Sequence, residues 1–233
     1  MYHLSGIRWK HRVLFLLNSV YLLLLVLAIL FGRKVRLILQ KLDDPDIRAA
    51  VIKHFSRYKD VSIFEEFTTY SGKARADIVA INGHLNGIEI KSDFDSLHRL
   101  PKQIEEYNLT FERNYLIIGE RWTPIVEQEV PSFWGIAVAK RNRLGKVAIS
   151  FMRQPKKNPR LKFEAILGLL DVNDIKKLLV EDKMGQKLKL NPSDLRQYYK
   201  YDLLAFLGAK LSLRDKRELI SKTRSLLKTK KAD

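Results

Sequence analysis

Cysteine is absent from the 233 residues, so the chain has no disulfide, no thiolate metal site and no cysteine nucleophile. Any metal must sit on oxygen or imidazole ligands. Glycine (11) and proline (7) are sparse, and with 46% hydrophobic residues this excludes a disordered or fibrous chain. Acidic groups are missing from two stretches: 1–42 carries 7 Lys and Arg, and 140–163 carries 9. Between them, 43–139 holds 16 acidic against 11 basic groups and is net acidic, although the whole chain is at +17. An acidic centre between basic flanks suits a metal-dependent site that holds a polyanion, because Lys and Arg meet phosphate while carboxylates hold a cation. A basic protein without such a site fits the same totals.

Residues 13–31 are uncharged and rich in Leu, a length that spans a hydrocarbon core. They read as a transmembrane helix or signal anchor rather than a cleaved signal peptide, since no small-x-small cleavage pattern follows. Arg8, Lys10 and Arg12 precede the span, and Arg33, Lys34, Arg36 and Lys41 follow it. That bias puts the rest of the chain in the cytoplasm. If the leader is translated from a mis-assigned start, the protein is cytoplasmic without an anchor. The reading divides the chain into an anchor segment at 1–42, a catalytic domain at 43–160 and a basic helical region at 161–233.

Asp44-Pro45 followed by Ile47, Val51 and Phe55 predicts a first helix over 45–58. Strands follow at 61–69, 76–81 and 85–91, the last two joined by Asn82-Gly83-His84, a hairpin signal. A second helix over 97–111 tolerates Pro101 in its first turn. A strand at 114–119 and a hairpin of 134–140 with 146–153 complete a mixed sheet flanked by helices, an α/β fold. After a break at 154–159, helical spacing returns from Leu161, with later helices over 194–207 and 213–227.

The informative block is Ala76-Asp77-Ile78-Val79 with Ile88-Glu89-Ile90-Lys91. A hairpin centred on Gly83 sets Asp77 opposite Glu89, and Lys91 projects to the same face as Glu89. Two carboxylates so placed repel unless one protonates or a cation joins them, and hard oxygen ligands select Mg²⁺ or Mn²⁺. Such an ion polarises a phosphoryl oxygen and acidifies a bound water, while an ammonium stabilises developing negative charge. The plainer reading is a surface salt bridge of Lys91 with Glu89 or Asp77 at a hairpin edge.

Asp77 followed by Glu89-x-Lys91 resembles the signature of the PD-(D/E)XK nuclease superfamily, and Gln103-x-x-x-Tyr107 is similar to the Gln-x-x-x-Tyr element of its RecB-type members. The block from Arg75 to Gln103 also resembles a small family of bacterial proteins placed in that superfamily. The resemblance implies a restriction-endonuclease-like core and a metal-dependent deoxyribonuclease acting in repair, restriction or defence. It makes Asp77 and Glu89 metal ligands, Lys91 the catalytic lysine, and Gln103 and Tyr107 supporting or substrate-contacting residues. Many nucleases of this fold dimerise, which implies a homodimer. Arg75-Ala76 stands where the motif has its proline, and no acidic residue of the first helix matches firmly.

Glu65 and Glu66 lie on the preceding strand; alternation lets one face inward, and Glu66 is the choice for a third metal ligand. His54 reads as a half-buried helix histidine, and Asp93 and Asp95 as loop or cap residues. Lys140, Arg141, Arg143, Lys146, Lys156 and Lys157 form the expected DNA-binding flank, with a solvated hairpin face as the plainer alternative. Two other functions compete with the nuclease: a degenerate module that binds nucleic acid without cutting, and a membrane-anchored interaction protein.

Overall fold

The computed structural model describes residues 41–181 and 184–230. The hydrophobic span expected at 13–31 lies outside the described residues; among those described, no helix is long and apolar enough to cross a membrane. Helix α1 (Asp44–Phe55) starts where Asp43 accepts the N–H of Asp46 at 3.0 Å and Pro45 occupies the first turn, and it buries Ile47, Val51 and Phe55 at four-residue spacing. Strands β1 (Ser62–Thr68), β2 (Arg75–Ile81) and β3 (Leu85–Lys91) form an antiparallel meander. Helix α2 (Leu100–Thr110) then carries the chain back so that β4 (Arg113–Gly119) runs parallel to β3. A 3₁₀ turn (Glu120–Trp122) and the short α3 (Val126–Glu129) lead to β5 (Gly135–Arg141), parallel to β4, which pairs antiparallel with β6 (Val147–Arg153).

The result is a mixed six-stranded sheet in the order β1 to β6, flanked by helices. Alternation sorts its side chains into two layers. Ile78, Ala80, Ile88, Ile90, Ile117 and Ala139 pack with Ile47, Val51 and Phe55 of α1. Val79, Ile81, Leu85, Leu116, Ile118 and Ile136 face α2, where Leu100, Tyr107 and Phe111 meet them.

The same second layer takes in the helices that follow: α4 (Phe163–Leu167), α5 (Val172–Glu181), α6 (Met184–Lys187), α7 (Pro192–Gln197), α8 (Lys200–Lys210) and α9 (Leu213–Thr229). Leu203 and Leu207 of α8 and Leu219 and Leu227 of α9 are buried there. Glu112, just after α2, accepts the Leu85 N–H at 2.8 Å and the Arg224 guanidinium at 2.8 and 2.9 Å, which links α9 to the start of β3. The helix expected over 194–207 is broken at Tyr198-Tyr199 into α7 and α8. Leu195 and Leu203 stay buried on both sides of the break, so the apolar spacing runs through it unbroken.

Candidate functional site

Gly83, at φ 98°, turns the β2–β3 hairpin, a conformation open to glycine because it has no Cβ. Pairing runs from Ile81 opposite Leu85 to Ile78 opposite Ile88. One step further would set Asp77 opposite Glu89, and there the ladder ends. The Asp77 carboxylate instead accepts the backbone N–H of Ile90 at 2.7 Å, holding its Oδ2 at the carboxyl end of β3. Glu89 and Lys91 share a face with Leu85, toward α2.

Glu89 is 1% exposed and is met by three side chains. Its Oε1 accepts from Lys91 Nζ at 2.5 Å and from Gln103 Nε2 at 2.6 Å, and its Oε2 from the Tyr107 hydroxyl at 2.6 Å. Lys91 Nζ also donates to Gln103 Oε1 at 3.0 Å. The i, i+4 spacing on α2 delivers Gln103 and Tyr107 together. Tyr107 is itself fixed by stacking on buried Trp134, ring centroids 5.5 Å apart. Burial, then the Glu89 and Asp77 charges, holds its phenol well above the ordinary range, so it serves as a donor. Burial and the neighbouring Glu89 carboxylate push the Asp77 carboxyl up to about 7.

Asp77, Glu89, Lys91 and Gln103, with Tyr107 buried behind them, line a cleft of about 390 Å³ together with Asp44, Glu66, Asp95, Lys73, Arg75, Arg99 and Lys102. Four of those side chains are cations scattered singly along the sequence. The flank expected at 140–157 is not among the lining residues: Lys140, Arg141, Arg143 and Lys146 belong to the β5–β6 hairpin, at the other edge of the sheet. Arg141 there pairs with Asp46 of α1.

Arg48 of α1 was not marked by the sequence reading. Its Nη1 donates to the Asp77 carbonyl at 2.8 Å, Nη2 lies 3.0 Å from Glu66 and 3.6 Å from Asp77 Oδ1, and Nε binds Asp44 at 2.8 Å. The one sequence signal was the i, i+4 spacing of Asp44 and Arg48. Glu65 and Phe67 pair with β2 on either side of Glu66, which has a left-handed φ of 53°. Alternation is broken there, so Glu65 and Glu66 both reach Arg48, the former at 3.7 Å. Glu66 is held on the rim by Arg48 and by Arg75 at 2.7 Å. Among the described residues no group of three or more His, Asp or Glu gathers to hold a metal.

His54 is half-buried against Phe55, Tyr58 and Phe151, away from the cleft. Asp93 is a buried tie, accepting the N–H groups of Leu42 at 2.8 Å and Arg121 at 2.9 Å. Asp95 accepts the N–H of Ser92 at 2.8 Å.

Fold and cleft together define a mixed α/β domain with a buried carboxylate–ammonium centre. The family model of bacteriophage P4 protein cII matches residues 39–225, and the chain belongs to that family. It is 28% identical over 182 residues to protein cII of Enterobacteria phage P4, covering 77% of this chain and 65% of that protein. The chain thus spans about 65% of the length of this curated relative. No solved structure matches. The family match overturns the expected membership of the PD-(D/E)XK superfamily. That resemblance rested on a few residues, and a charged trio on a hairpin arises readily wherever a short strand pair ends in a polar cleft, whereas the cII match runs through most of the chain.

Proposed function

We propose that the chain hydrolyses phosphodiester bonds of DNA with a divalent cation, Mg²⁺ or Mn²⁺, held by Asp77 and Glu89. The observation that carries this reading is a single cleft that joins two carboxylates from adjacent strands, the Lys91 ammonium and the rim cations Lys73, Arg75, Arg99 and Lys102. The donor set fits such an ion: Mg²⁺ keeps several waters and takes one or two protein carboxylates along with substrate phosphates. Glu89 spends three of its roughly four acceptor sites on Lys91, Gln103 and Tyr107, and Asp77 Oδ1 lies 3.6 Å from Arg48. When bound, the ion would polarise the phosphoryl oxygen and acidify a water.

Lys91 spends two of its three donors on Glu89 and Gln103, and the third would meet charge developing on the phosphoryl oxygens. Gln103 and Tyr107 orient Glu89, and the rim cations hold the flanking phosphates. If residues 13–31 span a membrane, the basic bias after them supports a cytoplasmic place for this domain.

A second reading has its own support. Lys91 and Arg48 already balance the carboxylates without a cation, which favours a module that binds nucleic acid and leaves it intact. Incubating plasmid and linear DNA with the full chain and Mg²⁺ or Mn²⁺ separates the two. The nuclease reading expects metal-dependent cutting that falls by about 100-fold or more in Lys91→Ala. Equal residual cutting by the wild type and Lys91→Ala would overturn it. A salt-dependent mobility shift without any metal-dependent product would leave the binding module.

A further inference from the structure

Beyond the cleft, the most exposed aromatic side chains of the described residues lie two positions apart at the start of α8. Tyr199 is 81% exposed and Tyr201 75%, and Lys200 lies between them in the chain. Large aromatic rings left so open are not part of any core, and both hydrophobic clusters omit them. Tyr198, by contrast, packs on Phe206, so the local sequence divides its tyrosines between the interior and the solvent.

Lys200 ties this corner to the cleft. Its Nζ sits over the Tyr70 ring, 5.2 Å from the centroid. Tyr70 belongs to the turn between β1 and β2, which also carries Lys73 and Ala74 of the cleft wall. Three residues of chain reach at most about 11 Å, so the ring that Lys200 covers and the rim cation Lys73 belong to one short turn. The same turn is braced from α2 by Ser71, which meets Glu106. Arg99 and Lys102 line the same cleft.

We propose that Tyr199 and Tyr201 are a stacking platform for unpaired bases of a single-stranded nucleic acid whose backbone runs along Lys200 and Lys73 into the cleft. The occupant follows from two chemistries in one place: open aromatic faces, on which any base stacks, and cations spaced along a path, which track phosphates. A duplex keeps its bases stacked on each other and offers the tyrosines nothing. An anionic membrane would also attract Lys and tyrosine, but the link to a recessed cleft with a cationic rim argues for a thin polymer rather than a flat surface. The proposal deepens the nuclease reading by naming its strand form, and it rests on that reading for the course of the backbone into the cleft.

The test measures binding with metal absent, so that failure to cut and failure to bind are separate results. Fluorescence anisotropy of the full chain is read with a labelled 20-nucleotide oligothymidylate and with a duplex of equal length. The double variant Tyr199→Ala/Tyr201→Ala should bind the single strand about 10-fold more weakly or worse and the duplex unchanged. Tyr199→Phe/Tyr201→Phe, which keeps both rings, should restore binding. An unchanged single-strand affinity in the alanine variant, an equal loss for both nucleic acids, or failure of the phenylalanine pair to rescue would each overturn the platform. So would co-sedimentation with phosphatidylglycerol vesicles that depends on the pair while oligothymidylate binding does not. Far-ultraviolet circular dichroism of each variant, matched to wild type, excludes unfolding as the cause.

Discussion

Asp77 stands in surroundings unusual for a carboxyl group. Its carboxyl moves from the ordinary 3.8 to about 7, first because it is buried and then because Glu89 stands nearby. Between those values the folded chain keeps a proton that the unfolded chain has released. The stabilising contribution is therefore complete below about 3.8 and is lost as the pH climbs through about 7. In metal-free buffer, urea unfolding should show a wild-type stability that falls by roughly 3 kcal/mol more, from pH 5 to pH 8, than that of Asp77→Asn, which has no proton to lose. Parallel pH profiles would show the displaced titration to be absent. The trio with Gln103 and Tyr107 was legible because all five residues lie between 77 and 107, where strand alternation and helix spacing set directions from local rules. Arg48 was not, since an arginine on an amphipathic helix looks like a solvated side chain until the fold brings β2 beneath it. A lysine in its place would not be equivalent: one ammonium cannot reach the Asp77 carbonyl, Asp44 and Glu66 at once as the guanidinium fork does.

Among the elements, β3 was the easiest to read and is the most confined. Every residue from Leu85 to Lys91 is buried, and its β-branched isoleucines at 88 and 90 with a Gly-containing bend before the strand leave little room for another assignment. Gly87 shows how tight the packing is: a Cβ there would lie 2.2 Å from the Phe111 ring, and Phe111 is fully buried and cannot swing away. Gly87→Ala should cost about 1–3 kcal/mol, measured as a lower midpoint in denaturant, through displacement of α2 from β3 rather than any change of charge. The helical half was read less well for an equally physical reason. An apolar period of 3.6 residues reports which side chains are inside, and it persists across the Tyr198-Tyr199 break because both pieces bury their leucines in the same layer.

At the scale of the molecule, the runs of basic residues were a poor guide to where charge is concentrated around the cleft. Runs such as 140–146 sit on the β5–β6 hairpin, while the rim draws single cations from the β1–β2 turn, the start of β2, the residue before α2 and α2 itself. Lys73→Ala/Lys102→Ala should weaken single-stranded DNA binding and reduce the slope of log affinity against log salt by about 1.4, while Lys140→Ala/Lys146→Ala leaves both nearly unchanged. Titrations at several salt concentrations distinguish these outcomes, and a larger effect from the hairpin pair would move the interface to the far edge. The last helix bears on the cleft as well, through Glu112. That one carboxylate grips Arg224 of α9 and the first amide of β3, so the strand that presents Glu89 and Lys91 is anchored at its root by the carboxyl-terminal end of the fold. Trimming the chain ahead of Leu213 would therefore do more than shorten it. It would cut the guy-line that keeps β3 taut.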